Sequence, residues 1–228
     1  MTPRQKFDLS LLPEKPDLKY EKQLWKKELR FIAGVDEAGR GALAGPVAAG
    51  AVVLPCDSRN LVSQLDGVRD SKEITSAERE AWAVVIKTIA IAWGVGFASA
   101  NEIDLKGIVP ATHLAIFRAF LKLDLTADHI LVDYLTLPEI PVPQTPLVKG
   151  DARSLSIACA SILAKTARDE VLIAMDQEYP GYQFSHHKGY ATKAHQQAIQ
   201  RLGPCDQHRR TFSPVTEYFS LFPPGNQK

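Results

Sequence analysis

Short apolar runs and longer amphipathic stretches divide the chain into predicted elements. Residues 30–35 and 47–54 are dense in apolar and β-branched side chains, and only the glycine-rich "DEAGRGALAGP" separates them. They read as two strands forming an antiparallel pair. Residues 15–29 are charged, with Leu18, Leu24, Trp25 and Leu29 near one stripe, which predicts a helix. Residues 75–90 have helical spacing and a capping-box start, Thr75 followed three positions on by Glu78. A strand is predicted over 91–99, a helix over 109–124 with Pro110 in its first turn, and a buried strand over 129–132 that runs into Asp133. Pro138, Pro141, Pro143 and Pro146 make 137–146 a stiff loop. A long helix follows over 152–176, and its middle, "SLSIACASILAK", carries small side chains that let it lie close on a sheet. Residues 179–190 read as a loop, and 191–202 as a helix stopped by Gly203 and Pro204.

That order predicts an α/β fold, a mixed sheet covered by helices, with a helical C-terminal part. At 228 residues the chain is one large domain or a domain with an appendage. The division expected is an N-terminal appendage over 1–29, a core over 30–178 and a C-terminal extension over 179–228. No run reaches the roughly 18 apolar residues of a membrane span. The first residues, interrupted by Asp8 and Ser10 and containing acids, match neither a signal nor a transit peptide. The expectation is a cytoplasmic monomer with no membrane contact. Cys56, Cys159 and Cys205 are odd in number and far apart, which predicts free thiols rather than disulfides or a zinc ribbon.

A net charge of +1 does not indicate a general polyanion binder. Between positions 183 and 210, however, Lys188, Lys193, Arg201, Arg209 and Arg210 face one acid, Asp206, and four histidines join them. This run reads equally as a solvated helix face or as a phosphate-facing patch.

Gly39, Gly41 and Gly45 follow a strand, as in a dinucleotide-binding turn. Three features oppose that reading. The turn opens onto "PVAAGAVVLP", a strand rather than a helix; Asp36 and Glu37 would face a pyrophosphate; and the acid expected about 20 residues on is not at a strand end. The acids have their own logic. Asp36, Glu37 and Asp133 end buried strands, and Asp151 stands at the mouth of the long helix. Brought together, four carboxylates would suit Mg²⁺ or Mn²⁺, and two such ions could cleave a phosphodiester. Each acid also has a bland reading. Asp151 could be an N-cap and Asp133 a turn residue, and Glu37 should leave a regular strand on the face opposite Asp36.

"VDEAGRG" with "LAGPV", "DSK" (Asp70 to Lys72), "VD" at Asp133, "KGDARSLSIACASILAKTARD", "HKGY" (His187 to Tyr190) and "GPCDQHRRTFSPV" together resemble the ribonuclease HII family, in the family's order. The resemblance implies a ribonuclease H-like fold with a helical C-terminal extension. It implies an endonuclease that cleaves the RNA strand of RNA–DNA hybrids and incises DNA 5′ to embedded ribonucleotides, leaving a 3′-hydroxyl and a 5′-phosphate. It implies two divalent ions, Mg²⁺ or Mn²⁺, held by Asp36, Glu37, Asp133 and Asp151. The turn reading the ribose 2′-hydroxyl falls on Gly39, Arg40 and Gly41, and phosphate contacts fall on Ser71 and Lys72. The tyrosine stacking on the neighbouring deoxyribose falls on Tyr190, with Lys188 beside it as a further substrate contact.

There are departures. Tyr134 stands where the family often has glycine, and Glu73 where a second lysine is common. Asp169 reads as a structural ion-pair partner. A sliding-clamp contact through Phe219 and Phe222 has no other support. Three other readings remain at this stage: metal-free acid–base cleavage by His186, His187 and Lys188, a non-cutting nucleic-acid binder, and a dinucleotide binder.

Overall fold

The computed structural model describes residues 7, 8, 10 and 12–221, so Phe222 of the clamp reading lies outside the described residues. One mixed sheet contains β1 (Ile32–Ala38), β2 (Val47–Val53), β3 (Ala92–Ala98), β4 (His129–Asp133) and β5 (Gln144–Leu147), in spatial order β3-β2-β1-β4-β5. The pairs β1–β2 and β2–β3 are antiparallel, and β1–β4 and β4–β5 are parallel. The expected hairpin around the glycine turn is therefore present. Because the turn leads into β2, no helix N-terminus faces it, and the dinucleotide reading loses its premise.

The helices are α1 (Lys19–Trp25), α2 (Leu61–Gln64), α3 (Ser76–Ile89), α4 (Ala100–Lys106), α5 (Ile108–Leu121), α6 (Leu155–Glu178), α7 (Phe184–His187), α8 (Lys193–Leu202) and α9 (Val215–Leu221). Thr75 and Glu78 form the expected capping box on α3. A second box, Ser99 with Glu102, starts α4, which the strand reading of 91–99 ran up against without continuing. The proline-rich loop ends in β5. Pro146 is accommodated there because β5 is an edge strand, where a missing N–H leaves no ladder partner unmet.

Two helical layers cover the sheet. α5 buries Ala115, Ile116 and Ala119 with Ala33, Val35, Ala49 and Ala51 on one face. α3 and α6 cover the other face, where Ile86, Ala158 and Ile162 meet Val52 and Val95. Each buried isoleucine or valine among these contributes about 1.5–3 kcal/mol, and each alanine less. The small residues of α6 permit close contact, as expected. A Cβ added to Gly50 would lie 2.2 Å from the Ala160 carbonyl oxygen, and one added to Gly34 would lie 2.2 Å from the Ser156 backbone.

α6 also runs alongside β1 in the same direction. Ser156 lies against Gly34, the Ser161 hydroxyl acts on Asp36, and Arg168 lies against Gly39. One helix therefore accompanies the whole approach to the glycine turn. The C-terminal extension is stitched to that turn by main-chain bonds. Leu43 N–H donates to the Gly189 carbonyl at 2.8 Å, Gly45 N–H to Gln207 at 2.8 Å, and Arg209 N–H to Leu43 at 2.8 Å.

Candidate active site

The parallel register decides where the acids meet. Val35 pairs with Val132, so the next residues, Asp36 and Asp133, come level at the C-terminal end of the sheet. Asp36 leaves β1 on the α6 face and is 5% exposed. Glu37 leaves on the opposite face, as alternation requires. It still reaches the site because β4 stops beside it. Tyr134 turns the chain away with φ 60°, a left-handed conformation that favours glycine. With no strand on the β4 side, although β2 still pairs with it on the other, the Glu37 carboxylate passes around the sheet's end. Tyr134 thus occupies a backbone that a glycine would adopt without strain.

Asp151 arrives by another route. It lies in a 3-10 turn, Gly150–Ala152, while Ser154 caps α6, so the N-cap reading of Asp151 is replaced. The turn is fixed to β4 because Gly150 N–H donates to Asp133 Oδ1 at 2.7 Å.

An open cleft of about 550 Å³ lies over this end of the sheet, lined by Asp36, Glu37, Asp133, Gly39, Arg40, Ser71, Lys72 and Tyr190. Asp151 stands at its margin, with Lys72 Nζ 3.5 Å from its carboxylate. Burial pushes the Asp36 carboxyl well above its usual range, and the charges of Glu37, Asp133 and Asp151 push the same way. Burial likewise raises Glu37, against the pull of Arg40, whose guanidinium donates to it at 3.0 Å. Burial and the charges of Asp151 and Glu37 bring Asp133 up to about 6. Partial burial pulls Lys72 down, but Asp70, Asp151 and Asp36 outweigh it and leave the amine raised.

Among the described residues no three acids, histidines or cysteines are already drawn into a finished metal cage. The donor set nonetheless fits hard divalent ions. The acids offer oxygen ligands alone, and Glu37 Oε2 is buried without a hydrogen-bond partner.

The other site residues divide into those facing the cleft and those supporting it. A Cβ added to Gly39, at φ 89°, would fall 1.9 Å from Arg168 Nε, whereas one added to Gly41 meets nothing within 4 Å. Gly39 is required by the fold, and Gly41 leaves open space. The Ser71 hydroxyl is buried against Ser161 Oγ at 3.0 Å. Its loop is held by Arg79, which donates to the Ser71 and Ile74 carbonyls and pairs with Asp169 at 3.2 Å. Asp169 also pairs with Lys165 at 2.6 Å, as its ion-pair reading anticipated. Tyr190 lies over the cleft with Lys165 Nζ 5.6 Å and Arg168 5.3 Å from its ring centroid. Lys188 is not brought to the cleft, because its amine folds back onto the Ser185 carbonyl.

The basic run splits. Lys193, Arg201 and Arg210 are exposed, while Arg209, His187, His195 and His208 are interior. His187 accepts from Gly189 N–H through Nδ1, which leaves its Nε2–H to donate to the Tyr182 carbonyl. Both nitrogens of His187 are engaged away from the cleft, and neither His186 nor Lys188 lines it, so the metal-free His186–His187–Lys188 reading has no positioned base. Sequence reasoning missed Arg168 and Arg209 as supports of the turn. The signal was present in the "TARD" and "HRRTF" blocks, but charge alone does not distinguish a surface arginine from a buried one.

A mixed five-stranded sheet with acids at one end and a helical extension over them defines a ribonuclease H-like nuclease fold. A ribonuclease H2 crystal structure from Pyrococcus horikoshii OT3 superposes with a TM-score of 0.70 at 25% identity, covering 84% of this chain and 98% of that one. Bst-RNase HIII in complex with Mn²⁺ superposes with a TM-score of 0.63 at 17% identity, covering 84% of this chain and 70% of that one, a likeness of fold alone. The sequence model described as ribonuclease HII matches residues 33–215. A ribonuclease HII from Anaeromyxobacter is 50% identical over 206 residues, 90% of this chain and 64% of that protein. One from Dehalococcoides mccartyi is 48% identical over 201 residues, 88% of this chain and 94% of that protein. The chain belongs to the ribonuclease HII family, and it is an enzyme of the phosphodiester-hydrolysing, ribonuclease H class. Among the described residues no helix is long and apolar enough to cross a membrane.

Proposed function

We propose that the protein incises the RNA strand of RNA–DNA hybrids and duplex DNA 5′ to an embedded ribonucleotide, leaving a 3′-hydroxyl and a 5′-phosphate. The observation that carries this reading is the Val35–Val132 register, which sets Asp36 and Asp133 side by side next to a glycine turn with open space at Gly41. Asp36, Glu37, Asp133 and Asp151 would hold two divalent ions, Mg²⁺ or Mn²⁺. Such ions supply an activated water and neutralise the leaving oxygen. The rest belongs to this chain's own groups. The backbone of Gly39, Arg40 and Gly41 approaches the ribose and bonds its 2′-hydroxyl, the group that separates RNA from DNA. Arg40 is drawn to Glu37, so its side chain braces the acid while its backbone reads the sugar. Lys72, 74% exposed at its side chain, meets a phosphate, and Ser71 shapes the loop that presents it. Tyr190 packs on the next sugar, where a deoxyribose fits and a 2′-hydroxyl would crowd. Lys188 contacts substrate only by releasing the Ser185 carbonyl.

The Mn²⁺ bound to the structurally similar Bst-RNase HIII supports a divalent requirement. The test uses two matched duplexes, one with a single ribonucleotide and one all DNA, each with and without Mg²⁺. Incision only of the first and only with Mg²⁺ is expected. Cutting of both duplexes, or cutting in chelator, would refute the reading.

A further inference from the structure

Arg168 and Arg209 are two of the largest fully buried side chains, each 0% exposed. Every guanidinium hydrogen bond they make goes to a main-chain carbonyl. Arg209 donates through Nη2 to Gly39 at 2.7 Å, through Nη1 to Arg40 at 2.7 Å, and through Nε and Nη2 to Gly45 at 3.1 and 3.0 Å. Arg168 donates to Pro46 at 2.9 Å and Ala44 at 3.1 Å on the glycine turn. It also donates to Lys188 at 2.9 Å, two residues before Tyr190, and its guanidinium lies 5.3 Å from the Tyr190 ring centroid. Gly39 packs directly on Arg168, and Gly189 packs on the Ala44 carbonyl oxygen, 2.4 Å from where a Cβ would stand.

Burying two like charges this close is unfavourable. Burial first, and each other's charge second, brings Arg209 down to about 9. An apolar filler of similar volume serves a core at least as well as a buried charge. What a guanidinium offers instead is a rigid planar fork that fixes several carbonyls at once, which a lysine's single ammonium cannot do. The carbonyls they fix here lie on two segments, the turn over 39–46 and the turn after α7 that leads to Tyr190. In the proposed reaction those segments serve adjacent sugars.

We propose that Arg168 and Arg209 are positioning residues that hold the glycine turn and Tyr190 at one separation, and that this separation makes the enzyme prefer a ribonucleotide followed by a deoxyribonucleotide over a continuous RNA strand. The proposal deepens the reading above and rests on it. On a single embedded ribonucleotide one 2′-hydroxyl alone sets the register, so cleavage depends on both contacts being met at a fixed span. On a continuous RNA strand every sugar offers a 2′-hydroxyl, and a loosened span costs less.

Arg168→Lys, Arg209→Lys and Gly189→Ala test this, with Ile116→Val in the α5 core as a control for stability alone. Gly189→Ala keeps both arginines but forces the Ala44 carbonyl away. The measurements are kcat and KM on a single-ribonucleotide duplex and on a hybrid with a continuous RNA strand, together with Tm. The ratio of kcat on the first substrate to kcat on the second should fall about tenfold, with KM changed less than about threefold, as expected for lost alignment rather than lost binding. Ile116→Val should lower Tm and leave the ratio unchanged. A ratio within about twofold of the unaltered protein in every variant that folds would overturn the proposal. Failure of the unaltered protein to incise the single-ribonucleotide duplex would remove the underlying reading, and the two failures are distinguished because that one needs no variant.

Discussion

Glu21 on α1 accepts a hydrogen bond from the Ser156 main-chain N–H at 3.0 Å, although the two residues are 135 positions apart. The hydroxyls of Ser154 and Ser156 donate to the same carboxylate oxygen at 2.6 Å each. Asp17 and Ser154 form an isolated parallel bridge beside it. This carboxyl oxygen meets a main-chain N–H at the first turn of the 24-residue α6, while burial raises the Glu21 carboxyl above its usual range. The appendage, which begins before the matched residues 33–215, therefore secures the start of the helix that follows Asp151.

Glu21→Ala should destabilise the protein by about 2–3 kcal/mol, since it strands buried donors, whereas Glu21→Gln keeps an acceptor oxygen and should cost less than half as much. Urea unfolding of the two variants measures this. Equal midpoints for both variants and the unaltered chain would show that α1 is a passenger.

Asp36→Asn should abolish cleavage and yet stabilise the metal-free protein. It removes one of several buried acids that raise one another. The gain in unfolding free energy should be about 1 kcal/mol, a shift of roughly 2–4 °C in Tm. A lower Tm without metal would mean that the acids are not in repulsion.

The same repulsion predicts how metal and pH interact. Asp133 has its folded pKa raised to about 6, from about 3.9 in an unfolded chain. A raised carboxyl pKa favours folding while the group is protonated, and that contribution is lost as pH rises through about 6. Through Asp133 the metal-free protein should therefore carry the full penalty at pH 7.5 and about half of it at pH 5. A divalent ion cancels this penalty, so saturating Mn²⁺ should raise Tm several degrees more at the higher pH, at about 2–4 °C per kcal/mol. Equal shifts at both pH values would contradict it.

Much of this site was legible in the chain because its parts are local. Apolar runs that end in Asp36 and Asp133 mark strand ends, and Thr75 with Glu78 marks a helix start. What stayed hidden was long-range. Nothing local tells that the Val35–Val132 pairing is parallel, that β4 stops short and frees Glu37 to turn inward, or that Arg209 lies inside while Arg210 lies outside. The Ser99–Glu102 box of α4 was visible but masked by the adjoining strand, and the prolines around β5 concealed an edge strand.

The three interior histidines pack together, His187 stacked on His195 with ring centroids 4.1 Å apart and His195 hydrogen-bonded to His208, and their protons can be placed. His208 Nδ1 accepts from Cys205 N–H at 3.0 Å, so its Nε2–H donates to His195 Nε2 at 3.1 Å, and His195 Nδ1–H donates to the Tyr190 carbonyl at 2.9 Å. All three rings are neutral in this arrangement. Burial lowers His195 to about 4 and His208 to about 3. A depressed histidine pKa contributes stability above the unfolded value of about 6.5, and that stability is lost as pH falls below it. Between pH 8 and 5 the His195 and His208 imidazole resonances should not titrate. With Mg²⁺ present to quench the acids, the urea midpoint should decline as pH drops toward 4. A ring titrating near 6.5 would break the proposed proton arrangement under Tyr190.

Gly39 and Gly41 should respond oppositely to the same substitution. Gly39 has φ 89° and no room, with Arg168 Nε 1.9 Å from the Cβ position. Gly39→Ala should cost about 2 kcal/mol or more from backbone strain together with displacement of a buried guanidinium. Gly41 has nothing within 4 Å of its Cβ position, so Gly41→Ala should leave Tm unchanged within about 0.5 kcal/mol in stability. If that open space receives a ribose, the added methyl occupies it, and incision at a single ribonucleotide should fall by about 100-fold or more, as a roughly 1 Å displacement from the reacting geometry would cause. Melting curves and single-turnover cleavage on the two variants separate fold from function. A Gly41→Ala protein that melts and cuts like the unaltered chain would place the sugar elsewhere.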